Sequence, residues 1–263
     1  MFRHRVSRGS AADRVRHQRP AVRERLRANL PRYRGPPQHR LRPDRLRSRG
    51  FSTVGFANPL PNRESDAALL ATLLRSLAGP IALVGHPYGG AVISNAATGN
   101  DQVQALVYLN GWMPEEGESI QSLIQSDIFQ GSLIPAALRP LPFTGPDGSE
   151  GVDVYLDQDL FPEAAAEDVD AQTAAVMAAA QRPWSAGAAA APSGPPAFRT
   201  IPSWYLLGTE DRAIPPVAQR FMAERGGSTI QELPASHASF VSQPEAVTQL
   251  IQTAVEATAR ARS

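Results

Sequence analysis

The sequence predicts an α/β fold: a mostly parallel sheet with helices on both faces. Two patterns carry this reading. From Phe51 onward short apolar runs alternate with stretches whose apolar residues recur at helical spacing, and Gly/Pro pairs punctuate the changes. The length, 263 residues, suffices for one large domain with a sizeable core.

The elements follow in order. Phe51–Ala57 reads as a strand ended by Asn58-Pro59. Residues 64–78 place Leu69, Leu70, Leu73, Leu74 and Leu77 on one helical face, and Gly79-Pro80 stops that helix. Ile81–Val84 is a short buried strand, 88–98 a helix of small residues, and Val103–Leu109 an apolar strand entering the loop Asn110-Gly111-Trp112. Between Met113 and Arg199 the rhythm breaks. Residues 142–151 read as a Gly/Pro/Asp loop, 162–181 as an Ala/Glu helix and 183–197 as a Pro/Ala/Gly-rich stretch. An insertion of this size after a strand, at about 113–199, is expected to form a helical lid over a site. The rhythm resumes with a strand at Ser203–Leu207, a helix at Pro215–Arg225 stopped by Gly226-Gly227, and a strand at Thr229–Leu233. The last helix is expected to start at Ser242, with Glu245 completing a capping box, and to bury Val247, Leu250, Ile251 and Val255.

Charge divides the chain in two. Residues 1–50 hold 16 arginines against Asp13, Glu24 and Asp44, a net +13, whereas 51–263 hold 10 arginines against 22 acids, a net −12. Residues 1–48, with few and scattered apolar side chains, are expected to be largely disordered, and 49–263 to form the α/β domain. The arginine-rich segment lacks aromatic interleaving or a recognised module, so no nucleic-acid partner is expected. With no cysteine, disulfides and thiolate metal sites are excluded. No membrane-length apolar run and no signal-peptide core are present, which predicts a cytoplasmic protein.

The chemistry centres on IALVGHPYGGAVIS, residues 81–94. A strand, then Gly85-His86-Pro87-Tyr88-Gly89-Gly90, then a helix of small residues has the outline of the G-x-S-x-G turn that presents a nucleophile, with proline in the serine's place. Downstream, Asp211 follows one candidate strand and His237 the next. Elbow, acid, histidine is the chain order of the α/β-hydrolases. The plain alternatives are a capping acid, a loop histidine and, for His86, a packing residue beside the turn.

From about Arg49 to Arg260 the chain resembles a bacterial α/β-hydrolase of the small esterase branch, which also resembles plant methylesterases and hydroxynitrile lyases. The resembling stretches are FANPL, LVGHPYGGAVI, ALVYLNGWMPEEGES, TIPSWYLLGTEDRAIPP and PASHASFVSQPEAV. The resemblance implies an α/β-hydrolase fold and a Ser-His-Asp triad with the nucleophile at position 87, the acid at Asp211 and the base at His237. It also implies an oxyanion site using the Tyr88 backbone N–H, with no cofactor and no metal.

Two departures stand against that pattern. Pro87 has no hydroxyl to attack a carbonyl, and its φ is fixed near −65° where an elbow nucleophile needs positive φ. Ser94, two turns into the helix, does not replace it. The N-terminus lacks the apolar strand and His-Gly loop with which the resembling proteins begin. That strand lies between the Phe51–Ala57 and Ile81–Val84 strands in the family, so its absence predicts a gap in the ladder or a direct pairing of the two. A lysine-free Arg/Pro/His-rich segment that stops abruptly at family-like sequence reads as a frameshifted start. The expected function is that of an ester hydrolase acting on a small apolar ester, with Trp112 and Trp184 as candidate pocket residues, impaired here by Pro87. The alternatives are a ligand-binding relative without turnover and a serine-free enzyme using the His237–Asp211 pair as general base.

Overall fold

The computed structural model describes residues 43–60, 62–145 and 147–260. Most of the arginine-rich segment, with the disorder expected of it, lies outside the described residues. These all fall within one compact unit. Its elements are α1 (Pro43–Ser48), α2 (Arg63–Ser76), β1 (Ile81–Gly85), α3 (Tyr88–Ala96) and β2 (Val103–Leu109). An insertion follows, with α4 (Ile120–Ile124), α5 (Ile134–Ala137), β3 (Leu138–Thr144), β4 (Glu150–Leu156), α6 (Phe161–Ala165), α7 (Ala171–Ala179), β5 (Trp184–Ser185) and α8 (Ala186–Ala190). The chain then completes β6 (Ser203–Gly208), α9 (Pro216–Arg225), β7 (Thr229–Leu233), α10 (Ser239–Ser242) and α11 (Pro244–Arg260).

The main sheet runs β1-β2-β6-β7, every neighbouring pair parallel. Strand β2 is the clearest product of its sequence. Its residues 105–109 are wholly buried, and their side chains alternate between two cores. Leu106 and Tyr108 join the cluster built with α2, α3 and α9, whereas Ala105, Val107 and Leu109 pack with Val247, Leu250, Ile251 and Ala254 of α11. Helices on both faces explain the near-continuous apolar run.

Several expectations need correction. Phe51–Ala57 forms no strand. A strand needs a ladder, and among the described residues β1 pairs only with β2, so the segment runs past without backbone pairing and Phe56 packs side-on against the core. Among the described residues the direct pairing of the two segments does not form. Leu69 is 48% exposed rather than on the buried face of α2, where Ala67, Leu70 and Leu74 do the packing. Residues 142–151 are not all loop: β3 and β4 form an antiparallel hairpin from Leu138↔Leu156 to Thr144↔Glu150. Pro140 and Pro142 can stand within β3 because it is at the edge of its three-stranded sheet, where a missing N–H is tolerated.

The single helix read at 162–181 is two, because the Asp170 side chain accepts from the Thr173 amide and starts a second helix there. The Pro/Ala/Gly-rich stretch contains β5 and α8. The final helix starts at Pro244, the residue type favoured in the first helical position, and not at Ser242, whose buried hydroxyl has no partner among the described residues. Val255 is only partly buried, and Ala254 takes the inward position. None of the described helices is long and apolar enough to cross a membrane.

Leu74, 1% exposed on α2, and Leu69, on its outer face, test this assignment of faces. Leu74→Ala is expected to cost about 2–5 kcal/mol in urea unfolding, whereas Leu69→Ala should stay within about 0.5 kcal/mol of the parent.

Candidate active site

The turn from β1 into α3 is built on close approach. A Cβ on Gly85 would lie 2.5 Å from the backbone of Gly89, and one on Gly90 would lie 2.6 Å from the Trp112 carbonyl oxygen. Both positions therefore exclude a side chain, which is why strand and helix can meet so tightly. Pro87 caps α3 with φ −71° and ψ −49°, an unstrained right-handed conformation. Its carbonyl accepts from the amides of Gly90 at 3.1 Å and Trp112 at 2.9 Å, which ties the turn to the loop after β2.

Tyr88 takes the first position of α3, where the backbone N–H has no acceptor within the helix. Its phenol points into the core and donates to Asp66 Oδ2 at 2.8 Å. Burial, then the Asp66 carboxylate, hold that phenol protonated, well above its ordinary pKa.

Asp211 and His237 meet. Asp211, at the C-terminal end of β6, is 3% exposed, and its Oδ2 lies 2.8 Å from Nδ1 of His237, in the loop after β7. Asp211 is held by its surroundings as well. Oδ1 accepts from the amides of Ala213 at 2.8 Å and Ile214 at 2.9 Å, and Oδ2 from Asn110 Nδ2 at 3.0 Å and Gln219 Nε2 at 2.8 Å. With Nδ1–H committed to the carboxylate, Nε2 of His237 is the nitrogen left to take a proton. His237 is 9% exposed.

His86 links the turn to His237. Its Nε2 lies 2.9 Å from the His237 carbonyl oxygen, so that nitrogen carries the proton and donates. The two imidazole centroids are 4.7 Å apart, and Phe240 packs edge-on against His86 at 4.6 Å. Burial and the neighbouring His237 hold the His86 pKa well below its ordinary value.

Trp112 lies in the core with its ring stacked on Phe129 at 5.1 Å, and reaches the turn through its backbone. Trp184 on β5 stands 6.0 Å from the Tyr88 ring. Ser94 is buried, its hydroxyl shared between the Gly90 carbonyl and the Tyr108 hydroxyl, away from His237. Among the described residues no group of three His, Cys, Asp or Glu side chains is placed to hold a metal.

Three supporting residues carry no signal in a motif. Asn110 has φ +44°, spans from Asp211 to the Ser239 hydroxyl, and sits at the end of β2. Its place in an Asn-Gly pair after a strand hinted at that left-handed backbone. Gln219 and Ser239 offered no comparable hint. Gly208 makes room for this cluster, since a Cβ there would lie 2.5 Å from Asn110 Nδ2.

A parallel sheet, a glycine-built turn after β1, an acid after β6 and a histidine after β7 define the hydrolase class of α/β proteins. The alpha/beta hydrolase family profile matches residues 11–250, and the chain belongs to that family. The match begins within the arginine-rich segment. No curated protein matches the chain by sequence. Similar solved structures include a pyrethroid hydrolase from Sphingobium faniae JZ-2, 22% identical, covering 82% of this chain and 91% of that one with a TM-score of 0.66. A methylesterase from Arabidopsis is 19% identical over 81% of this chain and 91% of its own, with a TM-score of 0.64. Polyneuridine aldehyde esterase is 16% identical over 74% and 80%, with a TM-score of 0.61.

Two outcomes follow from this geometry. Asn110→Ala removes two hydrogen bonds of the Asp211 cluster and leaves a Cβ-bearing residue without a polar side chain at positive φ, so it should lower stability by about 1–3 kcal/mol in urea unfolding. Because the folded-state pKa of His86 is depressed, its contribution to stability is complete above its ordinary value of about 6.5 and is lost as pH falls below it. His86→Phe should therefore flatten the decline in unfolding free energy between about pH 7 and 5.

Proposed function

We propose that the chain is a carboxylic-ester hydrolase by descent whose acyl-transfer step is blocked at the nucleophile. The observation carrying this reading is a complete acid–base pair, His237 Nδ1 2.8 Å from Asp211 Oδ2, in a fold whose nucleophile position holds Pro87. In a triad enzyme the hydroxyl at that position attacks the ester carbonyl, the histidine takes its proton and returns it to the leaving alcohol, and backbone amides hold the oxyanion. In this chain His237 would serve as base, Asp211 would orient it, and the Tyr88 amide at the start of α3 would be an oxyanion donor. Proline supplies no oxygen for the first step.

The similar structures named as esterases and hydrolases support the ester reading. The substrate class we assign is a small apolar ester, lying between the turn and the insertion at 113–199, which acts as the lid. Trp184, beside Tyr88, is the aromatic wall of that pocket, with Trp112 behind the turn.

Pro87→Ser tests the reading. On short-chain p-nitrophenyl esters this variant alone should stay close to background. The second oxyanion donor is missing with the His-Gly loop, and one such donor is typically worth about 10²–10³ in rate. Adding a family-like strand and His-Gly loop ahead of Phe51 should raise the rate by at least about 10²-fold, and His237→Ala should abolish it. Robust His237-dependent turnover from Pro87→Ser alone would show that the arginine-rich segment supplies what the loop provides. Absence of turnover after both repairs would sink the ester assignment.

A further inference from the structure

We propose that Arg63 and Trp184 form a buried subsite for a small organic carboxylate. Arg63 opens α2 and is 1% exposed. Its Nη2 donates to the Ala191 carbonyl, and its Nη1 has no acceptor among the described residues. No carboxylate pairs with it among them either. The nearby buried acid, Asp66, is engaged by the Tyr88 hydroxyl at 2.8 Å and the Leu60 amide at 3.1 Å.

Trp184 presents a second buried donor without a partner, its indole Nε1–H. The two donors belong to one neighbourhood. Trp184 stands 6.0 Å from the Tyr88 ring, the Tyr88 hydroxyl is held at 2.8 Å by Asp66, one turn along α2 from Arg63, and Ala191, which Arg63 grips, ends the short segment that begins at Trp184.

A guanidinium removed from water without a counter-anion is among the costliest arrangements a protein can hold, and a buried donor left unpaired adds to that cost. Both costs vanish if one anionic acceptor meets the two groups. Two N–H donors, one of them charged, call for oxygen acceptors bearing negative charge, which a carboxylate provides. The rings of Tyr88 and Trp184 border the site with apolar surface, which suits an attached carbon chain better than a bare inorganic ion. The subsite does not depend on the ester reading, since no step requires a nucleophile.

The test is thermal unfolding of the full chain in low-salt buffer, with sodium butyrate as the probe and butyramide and sodium chloride as comparison solutes. Butyrate at about 100 times its dissociation constant should raise the midpoint by about 5–10 °C, and the neutral amide and chloride should not. Trp184→Phe keeps the ring and removes the donor, so it should shrink the butyrate shift. Arg63→Met should abolish the shift while unfolding no earlier than the parent in anion-free buffer, because an uncompensated charge has been removed. Should Arg63→Met fail to fold, Trp184→Phe still decides the matter. The proposal is overturned if butyrate gives no shift, if chloride matches it, or if the shift survives unchanged in Trp184→Phe.

Discussion

A single buried carboxylate organises the carboxyl edge of the sheet. Asp211 accepts from Asn110 at the end of β2, from two amides of its own loop, from Gln219 on α9 and from His237 beyond β7. Burying a carboxylate is costly unless its oxygens are satisfied, and here the satisfaction comes from four separate stretches of chain. The requirement works in both directions. The acid is held in one orientation, and the segments that hold it are fixed relative to one another. Asn110 extends the network to Ser239, so the short α10 after the histidine belongs to the same arrangement.

The turn after β1 shows a different kind of constraint. Gly85 and Gly90 are dictated by space, whichever residue stands at position 87 between them. The packing demand and the chemical demand on this motif are therefore separable. Proline satisfies the first, since its φ of −71° suits the start of α3 and its carbonyl still anchors the Trp112 amide. It answers none of the second. His86 does two things at once: its ring fills space against Phe240 while its N–H holds the backbone of His237.

Much of this could be read from residues alone, for identifiable reasons. β2 was legible to the residue because an apolar run bounded by polar turns leaves little freedom in where a buried strand begins, and β7, only partly buried, was legible through its alternating pattern. The approach of Asp211 to His237 was legible because each follows a strand, and those two strands, β6 and β7, are neighbours in the sheet. The failures were non-local. Whether Phe51–Ala57 becomes a strand depends on a neighbour that no local pattern reports, and the prolines of β3 disguise a hairpin whose edge position only tertiary structure determines. Gln219 and Ser239 act through contacts with residues distant in sequence, and nothing in their own surroundings announces that.

The outer side of β1 has a consequence for handling the protein. Among the described residues no strand covers it, so the backbone donors and acceptors of Ile81–Gly85 on that side have no ladder partner, although β1 is an interior strand by its apolar composition. Natural sheets protect their edges with charge or proline, and IALVG carries neither. Such an edge invites pairing with any other extended segment, a second molecule included.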